Sequence, residues 1–203
     1  MIKTIVIDLG GVYFEAGTGI ALPKIYNLVN VPEEKVYEIF GGYPPTEGWL
    51  YRRGKITKEE FWKAAVEKLK IDKKLVPKLQ EIWHSAYKPI KGMKELVSKL
   101  RENYKVIVFS GNIKERIEYL NEKYGLYNDF DDFLLSFDVG FNKWEIEFYE
   151  ILLEKIKCKP EECVYVDDWQ KFLDIAKPLG IKTILFKNSK QLKSDLRKFD
   201  IRI

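Results

Sequence analysis

Short apolar runs alternate with longer helical patterns over most of the chain. Five runs of four to six residues are rich in branched or aromatic residues, which predicts buried strands. The predicted strands are Lys3–Asp8, Val106–Phe109, Phe133–Ser136, Cys163–Val166 and Lys182–Phe186. Between the last four runs, apolar residues recur at helical spacing. Strand–helix alternation of this regularity predicts an α/β fold built on a doubly wound parallel sheet.

A block without any strand pattern lies between the first predicted strand and the other four. Apolar residues recur at helical spacing over Gly19–Asn30, and Thr57 with Glu60 forms a capping box that starts another helix. We therefore expect two domains. Residues 1–13 and 89–203 form the core, and residues 14–88 form a helical insertion.

Composition narrows the class of protein. The 203 residues suffice for one core with an insertion, and the 35 basic and 31 acidic side chains alternate in sign along the predicted helices. This mixed surface argues against nucleic-acid binding. We also expect no membrane segment, no signal peptide and a cytoplasmic location. The two cysteines are expected to be free thiols, because zinc would need more ligands.

Polar residues end three of the predicted strands. Asp8 ends the first, Ser110 follows the second, and Asp167 with Asp168 follows the fourth. Taken singly, each could be a turn or helix cap. The carboxyl ends of parallel strands share one edge of the sheet, however, so these groups should converge in one crevice. Three carboxylates there need a cation, and a set of oxygen ligands favours Mg²⁺.

Glycines beside two of these strand ends suggest where a ligand approaches. Gly10 and Gly11 follow Asp8 and allow a sharp turn with a ligand close to the backbone. Ser110 and the N–H groups of Gly111 and Asn112 are expected to open a helix and to form a cradle for a phosphate group. We therefore take Gly11, Gly111 and Asn112 as candidate substrate-binding residues.

The order of these groups resembles the haloacid dehalogenase superfamily of phosphate-transferring hydrolases. Ile7–Val12 resembles the first motif of that family, Phe109–Asn112 the second, Val139–Lys143 the third and Val166–Asp168 the fourth. The helical block falls where the family inserts a helical cap. The resemblance covers essentially the whole chain and implies a Rossmann-like core of this type with an α-helical cap domain.

The resemblance also implies a role for each site residue. Asp8 would be the nucleophile, and Ser110 and Lys143 would hold the phosphoryl oxygens. Asp167 would bind Mg²⁺ directly, and Asp168 would support the ion or Lys143. The implied metal-binding residues are Asp8, Gly10 through its carbonyl group, Asp167 and Asp168. The implied substrate is a small phosphorylated metabolite, and the protein is expected to be a monomer or a homodimer.

Gly10 departs from the pattern of the phosphatase members, which carry an aspartate at this position as general acid and base. Three readings follow: a weak or specialised phosphatase, a catalytically silent binding protein, and a 2-haloacid dehalogenase. Dehalogenase members lack a metal and replace the acidic fourth motif, so Asp167 and Asp168 argue against that activity. A silent protein leaves Asp8 and Lys143 unexplained. The sequence therefore favours a phosphatase.

Other residues are ambiguous at this level. Trp144 stands where family members often have proline after the motif lysine. Arg52 and Arg53 are candidates for contacting an anionic substrate, although we favour a surface role for both. His84 is the only histidine, and we expect it to be structural rather than catalytic.

Overall fold

A computed structural model describes residues 1–203 and contains one sheet of five parallel strands. The strands are β1 (Thr4–Ile7), β2 (Lys105–Ser110), β3 (Asp132–Leu135), β4 (Cys163–Asp167) and β5 (Lys182–Leu185). Their order across the sheet is β3-β2-β1-β4-β5, which places β1 at the centre. The doubly wound parallel sheet is confirmed.

Twelve α-helices surround this sheet or lie in the insertion. Those between β1 and β2 are α1 (Gly17–Val29), α2 (Glu33–Phe40), α3 (Glu47–Arg52), α4 (Lys58–Leu69), α5 (Val76–Ser85) and α6 (Met93–Arg101). Those after β2 are α7 (Lys114–Tyr124), α8 (Leu126–Asp129), α9 (Ser136–Val139), α10 (Ile146–Ile156), α11 (Gln170–Ala176) and α12 (Ser189–Arg197). We did not predict α8 and α9, because four residues are too few to show a helical period. No helix has the length and apolar character needed to cross a membrane.

Alternation along β1 separates the two faces of the sheet. Ile5 and Ile7 point into a cluster with apolar residues of α6, α7 and α12. Val6 points the other way, into a cluster with residues of α10 and α11. Because the strands are buried on both faces, they read as continuous apolar runs in the sequence.

Helices α1–α5 pack around an apolar cluster of their own. Its centre is aromatic, with Phe40, Phe61 and Trp83 fully buried. The predicted capping box of α4 is confirmed, since Thr57 Oγ1 accepts from the Glu60 N–H at 3.1 Å and Glu60 Oε2 accepts from the Thr57 N–H at 2.7 Å. The insertion therefore has its own local signals and its own packed interior.

The two chain segments that join the insertion to the core pair with each other. The Glu15 N–H donates to the Lys88 carbonyl at 2.8 Å. Phe14 and Tyr87, at the two ends of the predicted insertion, pack into the core cluster. The division into residues 1–13 with 89–203 and residues 14–88 stays a prediction.

Candidate active site

The polar strand ends border one cavity of about 490 Å³ between the sheet edge and the insertion. Asp8, Ser110, Lys143 and Asp168 line it, as does Gly10. Residues that are more than 100 positions apart in the sequence meet here because β1, β2 and β4 are adjacent and parallel. The strand ends therefore converge at this edge of the sheet, as the sequence predicts.

Lys143 joins two buried carboxylates. Its Nζ lies 2.7 Å from Asp8 Oδ1 and 2.6 Å from Asp167 Oδ2, and the side chain is 3% exposed. Burial raises the pKa of Asp8 to about 7, with Asp167 and Asp168 adding to the shift and Lys143 opposing it. Burial alone would lower the pKa of Lys143, but the charges of Asp167 and Asp8 raise it above its usual value. Lys143 therefore stays charged. It contacts only one oxygen of Asp8, and the second oxygen accepts no hydrogen bond from the protein.

Asp167 and Asp168 are adjacent in sequence but differ in surroundings. Asp167 is fully buried, and its oxygens accept from Lys143, from the Tyr165 hydroxyl and from the Trp169 N–H at 2.8 Å. Asp168 is exposed and lines the cavity. Asp167 is the last residue of β4 and lies on the same face of the strand as Tyr165, whereas Asp168 follows the end of the strand. Both oxygens of Asp167 accept hydrogen bonds from the protein, whereas Asp168 borders the cavity; the roles expected for the two residues from the sequence stay a prediction.

The carboxylates fit a magnesium ion. One oxygen each from Asp8, Asp167 and Asp168 lies within 4.8 Å of the other two. A single ammonium group, Lys143, offsets only one of these three charges, so negative charge is in excess. All the donors are hard oxygens, and the Gly10 carbonyl adds another that accepts no hydrogen bond within the protein. The donor set therefore matches Mg²⁺.

Gly11, rather than Gly10, is the position where the turn requires glycine. Gly11 has φ +94°, and a Cβ there would overlap the Asp168 carboxylate. A Cβ at Gly10 would lie 3.2 Å from Tyr87 Cε1, which is close but leaves the backbone unstrained. Gly11 thus lets Asp168 approach the turn that follows Asp8.

Several unpaired donors face the cavity near Asp8. Ser110 is 2% exposed and its hydroxyl has no partner within the protein, while the Gly111 N–H donates to no protein acceptor. Asn142 is 3% exposed; its Oδ1 accepts from the Lys143 N–H at 2.7 Å, whereas its buried Nδ2 has no partner. A Cβ at Gly111 would lie 2.5 Å from Asn142 Oδ1, so glycine keeps these donors together. Unpaired buried donors of this kind suit an anionic ligand.

The predicted phosphate cradle is only partly correct. Helix α7 begins at Lys114 with Ile113 as its N-cap, so Ser110 does not open the helix. The Asn112 N–H is not free, because it donates to Ser136 Oγ at 3.0 Å. Asn112 still lines the cavity, and its side-chain Oδ1 accepts from Arg116 Nη1 at 3.0 Å. Ser136 follows β3, and the sequence pattern alone cannot show that its hydroxyl accepts a hydrogen bond from the Asn112 N–H.

The predicted surface role of Arg52 and Arg53 is wrong. Arg52 lines the cavity, is 5% exposed, and donates to the carbonyl groups of Phe40, Gly41 and Gly48 at 2.8–3.2 Å. Arg53 is partly buried and pairs with Glu145 at 2.8 Å. Arg53 therefore joins α3 to the segment before α10, and Arg52 joins the ends of α2 and α3.

A second arginine with no acidic partner lies beside Arg52. Arg116 is fully buried, and its guanidinium lies 4.4 Å from the ring centroids of both Trp83 and Tyr87. Burial lowers the pKa of Arg52 to about 10, and the charge of Arg116 adds to this shift. Neither residue forms a salt bridge, and Arg116 keeps two nitrogens, Nε and Nη2, without partners. We call Arg52 and Arg116 the arginine pair.

His84 lies on α5, outside the cavity, and packs against Trp83 and Tyr119. Burial, followed by the charges of Arg116 and Lys58, lowers its pKa to about 3. The histidine is therefore neutral at physiological pH. The structural placement agrees with the expectation that His84 takes no part in catalysis.

Sequence reasoning missed several residues of the cavity. Three aromatic residues on the core side, Trp144, Trp169 and Phe172, form an aromatic wall with ring centroids 5.0–5.4 Å apart. The replacement of proline by Trp144 was the signal for this feature. Asn142 in the cavity and Tyr165, which is buried and donates to Asp167, were also missed, because each reads as an ordinary loop or strand residue.

Comparisons with known sequences identify the family. Residues 25–186 match a family model described as haloacid dehalogenase-like hydrolase. A protein of Dictyostelium discoideum is 33% identical over an alignment of 169 positions that covers 79% of this chain and 69% of that protein. Bifunctional epoxide hydrolase 2 of the mouse is 37% identical over 73 residues, which are 36% of this chain but only 13% of that enzyme.

Comparisons with solved structures agree. A haloacid dehalogenase (HAD) family enzyme from Bacteroides thetaiotaomicron superposes with a TM-score of 0.80 at 23% identity, covering 97% of this chain and 98% of that one. The same enzyme in complex with magnesium and inorganic phosphate gives 0.75 at 24% identity, with 93% and 96% covered. L-2-haloacid dehalogenase from Xanthobacter autotrophicus gives 0.66 at 16% identity, with 100% and 85% covered. The structures establish the fold, and the family model spans most of the sequence: the chain belongs to the haloacid dehalogenase-like hydrolases.

Proposed function

We propose that this protein is a Mg²⁺-dependent phosphatase that hydrolyses a small phosphorylated metabolite through a phosphoryl group carried on Asp8. The proposal rests on the burial of the Asp8 side chain and on the contacts of its two oxygens. This carboxylate is 7% exposed, has one oxygen held by Lys143 and the other free, and lies beside the exposed acid Asp168. A buried, oriented carboxylate of this kind is suited to nucleophilic attack.

The metal assignment rests on the carboxylate cluster, which consists of Asp8, Asp167 and Asp168. We propose that Asp8, the Gly10 carbonyl and Asp168 hold Mg²⁺, while Asp167 orients Lys143 by accepting a hydrogen bond from its Nζ. The Bacteroides enzyme, crystallised with magnesium and inorganic phosphate, supports this choice of ion and ligand. When bound, the ion would neutralise charge on the phosphate group.

The protein groups account for both steps of the reaction. The free oxygen of Asp8 attacks phosphorus, and the bond from phosphorus to the ester oxygen breaks with its electron pair going to the leaving group. Ser110, Lys143 and the Gly111 N–H donate to the phosphoryl oxygens. Water then attacks phosphorus, the bond to Asp8 breaks, and inorganic phosphate leaves. The leaving group takes its proton from solvent, because position 10 carries no acid.

Two measurements test the proposal. Wild-type protein with Mg²⁺ should release phosphate from a panel of phosphate esters, and beryllium fluoride should form an adduct at Asp8. Both signals should vanish in Asp8→Asn and persist in Asp174→Asn, an exposed aspartate on α11. Halide release from 2-haloacids without phosphate release would instead indicate a dehalogenase. No turnover and no adduct would indicate a silent binding protein.

The cytoplasmic location and the monomeric or homodimeric state stay predictions.

A further inference from the structure

The aromatic wall of the cavity takes no part in the chemistry proposed for Asp8. Trp169 is 45% exposed even though tryptophan carries the largest apolar side chain. Trp144 and Phe172 contact it edge-to-face, with interplanar angles of 85° and 84°. The three rings therefore contact one another and present an apolar surface to the cavity that contains Asp8. An exposed apolar surface in a cavity marks a binding surface.

The wall is held in place by the backbone and by the insertion. The Trp144 Nε1–H donates to the Gly42 carbonyl at 3.0 Å, which fixes the orientation of the indole. The Trp169 N–H donates to the buried Asp167, so the backbone that carries the exposed ring is anchored to the carboxylate cluster. Such anchored rings lose little conformational entropy when they bind a ligand.

The insertion also contributes aromatic rings to the cavity. Tyr37 and Tyr43 from the insertion line it, and Tyr43 is 40% exposed. The Gly42 carbonyl, which binds Trp144, lies next to Tyr43 in the chain and brings this loop against the wall. The loop that carries Tyr43 therefore adds a further aromatic residue to the cavity beside the wall.

We propose that the aromatic wall is a subsite for the leaving group, and that it selects phosphate esters whose leaving group presents a flat apolar face. This inference rests on the proposed phosphatase function and adds the substrate class. Two chemistries share such a face: the C–H face of a saturated ring, such as a pyranose, and the π face of an aromatic ring. Both stack on tryptophan, whereas a flexible alkyl chain offers no flat face.

Non-hydrolysable phosphonates test the subsite by equilibrium binding to the wild-type protein with Mg²⁺. Phenylphosphonate and cyclohexylphosphonate represent the two kinds of ring, butylphosphonate supplies apolar carbon without a flat face, and methylphosphonate reports the phosphate site alone. We expect at least one ring-bearing probe to bind about tenfold more tightly than butylphosphonate, and the better of the two identifies the kind of face.

Variants then locate the preference. Trp169→Ala retains the backbone N–H to Asp167 and should abolish the ring preference without changing the affinity for methylphosphonate. Trp169→Phe should restore most of the preference, because it keeps a ring. Tyr127→Ala removes a comparably exposed aromatic residue (47%) outside the cavity and should have no effect.

The outcomes separate the two proposals. Binding of methylphosphonate without a ring preference in the wild type, or an equal loss for all probes in Trp169→Ala, would overturn the subsite and leave the phosphatase standing. Failure of every phosphonate and of inorganic phosphate to bind would overturn both.

Discussion

Two groups of charges contribute residues to the same cavity, Asp8 and Asp168 from the carboxylate cluster and Arg52 from the arginine pair, and the surroundings of the two groups differ. The carboxylate cluster gathers three acids around one ammonium group, so negative charge is in excess. The arginine pair has no acid within salt-bridge distance, yet Arg52 is bound by backbone carbonyls and Arg116 stacks on two aromatic rings. The acids thus keep open oxygens at a cavity, whereas the arginines contact carbonyl groups and aromatic rings of the protein, although two nitrogens of Arg116 have no hydrogen-bond partner.

This difference indicates which side carries the chemistry. Fixed carbonyl dipoles and π faces compensate a cation without any ligand, and they also join α2, α3, α5 and α7 at the boundary between insertion and core. In the carboxylate cluster, burial raises the pKa values of Asp8 and Asp168, the charge of Asp167 raises them further, and Lys143 opposes the rise only in part. We therefore expect changes to the cluster to alter activity and changes to the pair to alter stability.

The largest effect is expected for Asp8→Asn. Loss of the nucleophile should lower kcat by at least about 10³-fold. Lys143 keeps its bond to Asp167, and a buried carboxylate is removed, so the melting temperature should not fall. Phosphate release and thermal unfolding measured on the same samples test both parts. A large drop in melting temperature with the loss of activity would mean that Asp8 is mainly structural.

Gly10→Asp adds a carboxylate to the cluster and should supply the missing general acid. A positioned general acid is worth about 10²–10⁴-fold, mostly for poor leaving groups. Wild-type protein should therefore prefer nitrophenyl phosphate, acyl phosphates and sugar 1-phosphates to alkyl phosphates, and its phosphorylated Asp8 should accumulate as a burst. The variant should raise alkyl phosphate turnover about 10²-fold.

Gly10→Ala is the matched control for this substitution, because it adds the Cβ without the acid. That Cβ would lie 3.2 Å from Tyr87 Cε1, and the Tyr87 hydroxyl is 2.8 Å from Thr18 Oγ1, so the ring must shift slightly. The variant with alanine should retain the wild-type preference. Equal turnover of alkyl and nitrophenyl phosphates by the wild type would show that another residue, such as Glu15 or a side chain of the insertion, supplies the proton.

The sequence predicted the parts of the site that follow from local periodicity. Every strand boundary lies within one residue of its prediction, and the convergence of Asp8, Ser110 and Asp168 follows from parallel strands sharing an edge. The sequence did not show how differently Asp167 and Asp168 are surrounded, because the hydrogen bonds of Asp167 to Lys143 and Tyr165 and the exposure of Asp168 depend on the folded structure.

Contacts between distant segments could not be predicted in this way. The burial of Arg52 depends on carbonyl groups at the ends of α2 and α3, and that of Arg116 on rings from α5 and the segment after it. Nothing in the local pattern of an Arg-Arg-Gly sequence distinguishes these surroundings from solvent. The aromatic wall likewise assembles from two separate segments, and only Trp144 drew attention in the sequence.

Two substitutions of Arg116 test the structural role of the arginine pair. Arg116→Ala should lower the free energy of unfolding by about 3 kcal/mol, because it leaves a cavity beside Trp83. Arg116→Met should stay within about 1 kcal/mol of the wild type, since an apolar side chain of similar length removes a buried charge with two unpaired nitrogens. Urea denaturation measures both, with Arg101→Met at a partly exposed ion pair as control. Equal losses for alanine and methionine would show that the charge itself is required.

The smallest effect concerns the pH dependence of magnesium binding to the carboxylate cluster. Burial raises the pKa of Asp8 to about 7, and partial dehydration followed by the charge of Asp167 raises that of Asp168 to about 6. Without metal, the folded protein then holds protons that the unfolded chain has already released between about pH 4 and 7, so the cluster destabilises the fold as pH rises.

Mg²⁺ competes with these protons, and its affinity should therefore fall about tenfold from pH 7.5 to pH 6. Melting temperatures across Mg²⁺ titrations at the two pH values measure this change, because a ligand that binds only the folded state raises the melting temperature. Asp168→Asn should abolish the magnesium-dependent shift, and Asp174→Asn should retain it. An affinity that does not change with pH would mean that the ion does not bind at these carboxylates, and the contrast between the cluster and the arginine pair would lose its explanation.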